Sequence, residues 1–155
     1  MRILTSRSRT EGFTLIEVLI ALLVLAIGLL GMASLMLVSV KSNQSASQRS
    51  QASTLAYDMA ERLRLNRDRA VATDSYLTDG NSVPNDPGCK TDGCTPAQVA
   101  TLDVREWLNQ LALAGATGNI ARTDNRYTIT ILWQEDSSRA CGANNQCSFT
   151  LRVDL

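Results

Sequence analysis

An acid set at the edge of an apolar run gives this chain its first chemical clue. Glu17 is followed by 23 residues, Val18 to Val40, without a charge. A carboxylate there is costly unless a cation meets it, so Glu17 reads as a functional, ion-pairing group. Four cysteines supply the second clue. Cys89, Cys94, Cys141 and Cys147 have the spacings C-x4-C and C-x5-C. Four cysteines allow three pairings. Closure is cheapest for the short loops, which favours Cys89–Cys94 with Cys141–Cys147. The chain has no histidine. That excludes a zinc site of the two-cysteine, two-histidine type and the Ser-His and Cys-His pairs of nucleophilic enzymes. A four-cysteine zinc site is formally open, but the spacings and an oxidising compartment argue against it. Asp79, Asp86 and Asp92 with Asn81 and Asn85 offer hard oxygen ligands, yet they lack the spacing of a calcium-binding EF-hand loop. No glycine-rich phosphate loop appears. No metal, cofactor or catalytic residue is expected.

The elements that would position Glu17 follow from the same stretch. A helix of 23 residues covers roughly 35 Å, enough for a bilayer core of about 30 Å. Arg2, Arg7 and Arg9 precede it, opposed only by Glu11, and Lys41 and Arg49 are the only cations between it and residue 60. The basic side should stay in the cytoplasm and the body of the chain outside it. All four cysteines lie beyond the span, on the side where oxidation is possible. A cleaved secretory signal is a weaker reading, although Gly31-Met32-Ala33 has the small-x-small form. The apolar stretch from residue 13 to residue 30 is too long for it and carries an acid. A plain anchor explains the length and the flank but leaves Glu17 and Gly12 without a role.

Gly12-Phe13-Thr14-Leu15-Ile16-Glu17, behind a basic leader and ahead of an unbroken apolar helix, resembles the signal of type IV pilins and type II secretion pseudopilins. Residues 22–31 and 55–67 resemble the PilV group of minor pilins. The likeness is strong over residues 8–67 and weak afterwards. It implies that a prepilin peptidase cuts between Gly12 and Phe13, that Phe13 is then N-methylated, and that Glu17 meets a neighbouring amino terminus during assembly. The chain is thus expected to be a substrate of a peptidase and methyltransferase, not an enzyme. Cutting would create a cation at Phe13, four residues from Glu17 and on the same helical face. Methylation keeps that charge. One departure from major pilins is the lack of a proline in the apolar helix, where Gly28, Gly31 and Ser34 stand instead. Glycine weakens a helix by up to ~1 kcal/mol relative to alanine.

The spacing predicts one long helix over residues 13–69. Ala52, Leu55, Ala56, Met59, Ala60 and Leu63 form its apolar stripe. Asp58 and Arg62, four apart, should pair on the wet side. Arg62, Arg64, Arg67 and Arg69 read as a solvated basic helix end rather than a nucleic-acid contact. Residues 74–93, rich in Asp, Asn, Ser, Gly and Pro, read as a stapled loop. Thr95-Pro96-Ala97-Gln98 is a capping box opening a second helix. Ala100, Val104, Trp107, Leu108 and Leu111 share its inner face, and Gly115 or Gly118 ends it. A short strand near residues 119–122 leads through Thr123-Asp124-Asn125 to strands over residues 126–133 and 147–155, whose alternation has period two. Tyr127, Ile129, Ile131 and Trp133 should face Phe149, Leu151, Val153 and Leu155.

The expected fold class is α+β and type IV pilin-like. A long helix protrudes by its hydrophobic half and packs its amphipathic half on a small antiparallel sheet. The expected divisions are leader 1–12, membrane and filament helix 13–40, amphipathic half 41–70 and stapled periplasmic domain 71–155. The resemblance implies a minor pilin that helps start the pilus, sits at or near its tip and supports twitching motility and adhesion. Its implied partners are other minor pilins, the major pilin and the inner-membrane assembly platform. A minor pseudopilin of type II secretion is the alternative, and an anchored adhesin that never polymerises is a third class.

Overall fold

The computed structural model describes residues 12–135, 141 and 144–155. The chain divides into two compact units, Met1–Lys41 and Ser42–Leu155. The basic leader residues and residues 136–140, 142 and 143 in the connection before the last strand lie outside the described residues.

Helix α1 (Leu15–Leu65) begins in the first unit and ends in the second. In the first unit every described residue is exposed. The apolar side chains there, from Leu15 to Val40, are bare along their whole length. Such a continuous apolar surface is not a stable water-facing surface and calls for lipid or other helices. This is the one helix among the described residues long and apolar enough to cross a membrane.

The second unit has its own core. Ala52, Ala56, Met59, Ala60 and Leu63 are the buried stripe of α1, and Leu55 is partly buried beside them. The helix breaks at Asn66, whose φ of −114° and ψ of 39° leave the helical region. A short helix, α2 (Arg67–Ala72), follows. The uninterrupted helix expected through residue 69 is therefore corrected. The physical reason is the Asn66 amide, which donates to the Tyr76 hydroxyl at 3.0 Å and the Pro96 carbonyl at 2.8 Å. Asparagine readily exchanges helical backbone for such bonds.

Helix α3 (Pro96–Leu113) opens on the capping box, with Thr95 as cap, Pro96 at the first position and Gln98 answering from the third. Its buried face is Ala100, Val104, Trp107, Leu108 and Leu111. Gly115, at a φ of +68°, follows the cap residue Ala114, and its N–H donates to the Ala112 carbonyl. That left-handed turn ends the helix where glycine costs least.

Strands β1 (Ala116–Thr123), β2 (Arg126–Gln134) and β3 (Gln146–Asp154) form an antiparallel sheet in the order β1-β2-β3. The first strand starts three residues earlier than the short strand the sequence suggests, because Gly115 turns the chain straight into the sheet. Asp124, at a φ of 55°, and Asn125 join β1 to β2. Tyr127 pairs with Val153, Ile129 with Leu151, Ile131 with Phe149 and Trp133 with Cys147. Tyr127, Ile129, Ile131 and Trp133 are all buried, whereas Phe149 and Leu151 are only partly so. The central strand has neighbours on both sides and the last strand has one. Tyr76, Trp107, Tyr127, Met59 and Leu63 are the largest fully buried side chains. Burial of a large apolar side chain stabilises by roughly 1.5–3 kcal/mol.

Candidate processing and assembly site

Gly12, Phe13 and Thr14 precede α1 and are not helical. Phe13 is 84% exposed. The Thr14 carbonyl accepts from the Glu17 N–H at 3.1 Å and from the Val18 N–H at 3.3 Å. The Thr14 hydroxyl also accepts from the Glu17 N–H, at 3.4 Å. Glu17 is thus the acid of the first helical turn. The unpaired N–H groups and the dipole of that turn favour an anion. A carboxylate there, beside an apolar surface, is set to hold a cation brought to the same helix end. The structure places Gly12, Phe13 and Glu17 together at this terminus and adds Thr14, a residue the motif contains but sequence reasoning left without a role. The signal was available: Thr-x-x-Glu is the pattern of a capping box.

The remaining candidate residues lie in the second unit. Disulfides join Cys89 to Cys94 and Cys141 to Cys147, with Cα atoms 4.9 Å and 4.6 Å apart. The acidic loop spends its side chains on itself. Asp79 accepts from the backbone and side-chain amides of Asn81, and Asp86 accepts from the Gly88 N–H. The Asn81 amides hold the Asp79 carboxyl below its ordinary range. Among the described residues the one cluster with metal-ligand geometry is Glu135 with Cys141 and Cys147. Its sulfurs are bonded to each other. A disulfide has no thiolate to offer, so the oxidised chain does not present a zinc or iron donor set here.

The basic helix end is corrected at Arg62. Its guanidinium turns inward and bonds Asp58 at 2.9 Å, Asp103 at 3.0 Å and Glu106 at 3.1 Å. Burial pulls its pKa down, but the Glu106, Asp103 and Asp58 hydrogen bonds outweigh that and leave it above its ordinary value. Lys90 closes the network on Glu106 at 2.7 Å. Lys90 first, then Arg62, holds the Glu106 carboxyl below the usual carboxylate range. Tyr76 completes it from the loop, donating to Asp103 at 2.8 Å. Burial raises its phenol above the ordinary value. Arg64 pairs locally with Glu61.

Arg122 makes a second junction that the sequence did not announce. Its guanidinium donates to the carbonyls of Ala70, Val71 and Thr73 at 2.7, 3.0 and 3.1 Å and to Asp74 at 2.7 Å. It closes the carboxyl end of α2, as a cation suits that end. Tyr127 joins it by donating to Ala70 at 2.8 Å.

Two family models match stretches of this chain. A family model for the prokaryotic N-terminal methylation motif matches residues 7–33. A second, the Tt1218-like model described as type IV pilin Tt1218, matches residues 34–105. Together they support the type IV pilin superfamily. No curated protein and no solved structure matches the chain. The long amino-terminal helix, the small antiparallel sheet and the carboxyl-terminal disulfide are the type IV pilin fold. The matched family is a structural subunit, and the matches support a pilin or pseudopilin role. The methylation motif and the bare apolar helix fit a membrane-anchored pilin.

Proposed function

We propose that this chain is a minor pilin of the type IV pilus, of the PilV kind. A prepilin peptidase cuts it between Gly12 and Phe13, and Phe13 is then N-methylated. Residues 1–12 are the leader, 13–40 the membrane and filament helix, 41–70 its amphipathic continuation and 71–155 the stapled domain. The leader faces the cytoplasm and the domain lies across the inner membrane in the periplasm until the subunit enters the fibre. Its partners are the major pilin, other minor pilins and the assembly platform. It helps start the fibre and sits at or near the tip, supporting twitching motility and adhesion.

One observation carries the reading. Glu17 occupies the first turn of a helix whose apolar side chains are bare from Leu15 to Val40. Hydrolysis of the Gly12–Phe13 bond would place an ammonium one turn from that acid. A buried carboxylate without a cation costs several kcal/mol, so each Glu17 paired with an incoming amine fixes the register of stacked helices. A minor pseudopilin of type II secretion uses the same chemistry. Glu17→Ala tests the reading in cells. The substituted chain is expected to insert in the membrane normally and to be lost from purified filaments. Surface function unchanged without incorporation would support a static anchored adhesin instead.

A further inference from the structure

We propose that Thr14 is a positioning residue for cleavage, because its cap keeps the Gly12–Phe13 bond outside the helix. The inference rests on the pilin-type processing proposed above. Thr14 is the last residue before α1, and its carbonyl accepts the first helical hydrogen bond, from Val18 at 3.3 Å. Its hydroxyl accepts from the N–H of Glu17, the third helical residue, at 3.4 Å. Both are marks of a helix N-cap. Thr14-Leu15-Ile16-Glu17 also has the threonine-to-acid spacing of a capping box. The chain uses the same device at Thr95 and Gln98, where both halves of the box are made.

The place of this cap matters more than its strength. The first turn carries no tertiary contact that would fix its start, since every described residue there is exposed. Were α1 to begin one turn earlier, the Gly12 carbonyl would accept from the Ile16 N–H, as carbonyl i does from residue i+4 in any helix. That carbonyl is the one that water must attack. Hydrolysis puts the water's hydroxyl on the Gly12 carbonyl carbon and its proton on the Phe13 nitrogen. The carbonyl oxygen must meanwhile enter the peptidase's own donors. A carbonyl tied into the helical ladder is not available to them. With Thr14 as cap, Gly12 and Phe13 are the two residues before the cap, and the bond between them is outside the ladder.

Only the fraction whose helix starts after the Thr14 cap, with the bond free, binds the peptidase, so loss of the cap should raise KM and spare kcat. The test uses full-length chain in membranes with its prepilin peptidase. Wild type, Thr14→Ser and Thr14→Val are compared, and the new amino terminus is counted by mass spectrometry against time. Thr14→Ser keeps the hydroxyl and is expected to behave as wild type. Thr14→Val keeps the shape and loses the acceptor, and KM is expected to rise by up to about fivefold, the change in the ratio of the two states for an ordinary lost cap. Equal KM for Thr14→Val and wild type overturns the inference, as does a Thr14→Ser chain as poor as Thr14→Val. A fall in kcat with KM unchanged overturns it too, since that marks direct contact with the peptidase. A wild-type chain left uncut defeats the processing reading itself and the inference with it.

Discussion

The indole nitrogen of Trp107 donates to the backbone carbonyl of Leu55 at 2.9 Å. The bond runs from the inner face of α3 to the buried stripe of α1, and Trp107 is fully buried. It ties α3 to the part of α1 that lies in the second unit.

Trp107→Phe removes this bond and leaves a gap where the indole was. The hydrogen bond is worth about 1 kcal/mol and the lost packing a further amount of similar size. The expected loss is about 2 kcal/mol, read as a lower melting temperature of the detergent-solubilised chain, with helix content unchanged at low temperature. A melting curve identical to wild type would mean that the bond does not hold the two helices.

The network around Arg62 predicts acid sensitivity. Glu106 gives up its proton more readily folded than unfolded, because Lys90 and Arg62 hold its carboxylate. The unfolded chain therefore binds more protons in acid, and stability falls as pH drops. The contribution is complete above the ordinary carboxylate value of about 4.3 and is lost as pH falls through the lower, folded value. Glu106→Gln should lower stability near neutrality and narrow the difference between melting temperatures at about pH 6 and about pH 3. An undiminished acid dependence in that variant would place the effect elsewhere.

Gly118 marks a close approach of sheet to helix. A Cβ there would lie 2.6 Å from the Trp107 ring, 2.7 Å from the Leu111 side chain and 3.2 Å from the Thr130 carbonyl. The Gly80 backbone also abuts Gly118 so closely that a Cβ on Gly80 would strike the Gly118 carbonyl oxygen. Gly118→Ala is expected to cost about 1–3 kcal/mol by overpacking. Chemical denaturation should show a lower midpoint with an unchanged slope. A neutral effect would show that α3 moves away freely.

Local pattern made much of this fold readable in the chain. The Thr95 capping box, the five buried positions of α3 and the inward row Tyr127, Ile129, Ile131 and Trp133 depend on neighbours a few residues away, and sequence carries that information directly. The rest depends on encounters across the fold. Asp58 lies one turn from Arg62 and its pairing is visible, but Asp103 and Glu106 reach Arg62 only when α3 docks. Tyr76 sits in a polar loop, where nothing local marks it as fully buried. Asn66 breaks the long helix because Tyr76 and Pro96 come to it from outside. Gly118 looks like a helix terminator by type, yet it serves a close approach, and Gly115 ends the helix. At the amino terminus Glu17 stood out because an acid among apolar residues is rare, whereas Thr14, common at any helix start, did not.

The most direct measurement is the mass of the amino-terminal peptide from protein purified out of membranes. The account predicts a chain that begins at Phe13 and carries one added methyl group on its nitrogen. A chain that still begins at Met1, or one that begins at Ser34 after a secretory cut, would contradict it.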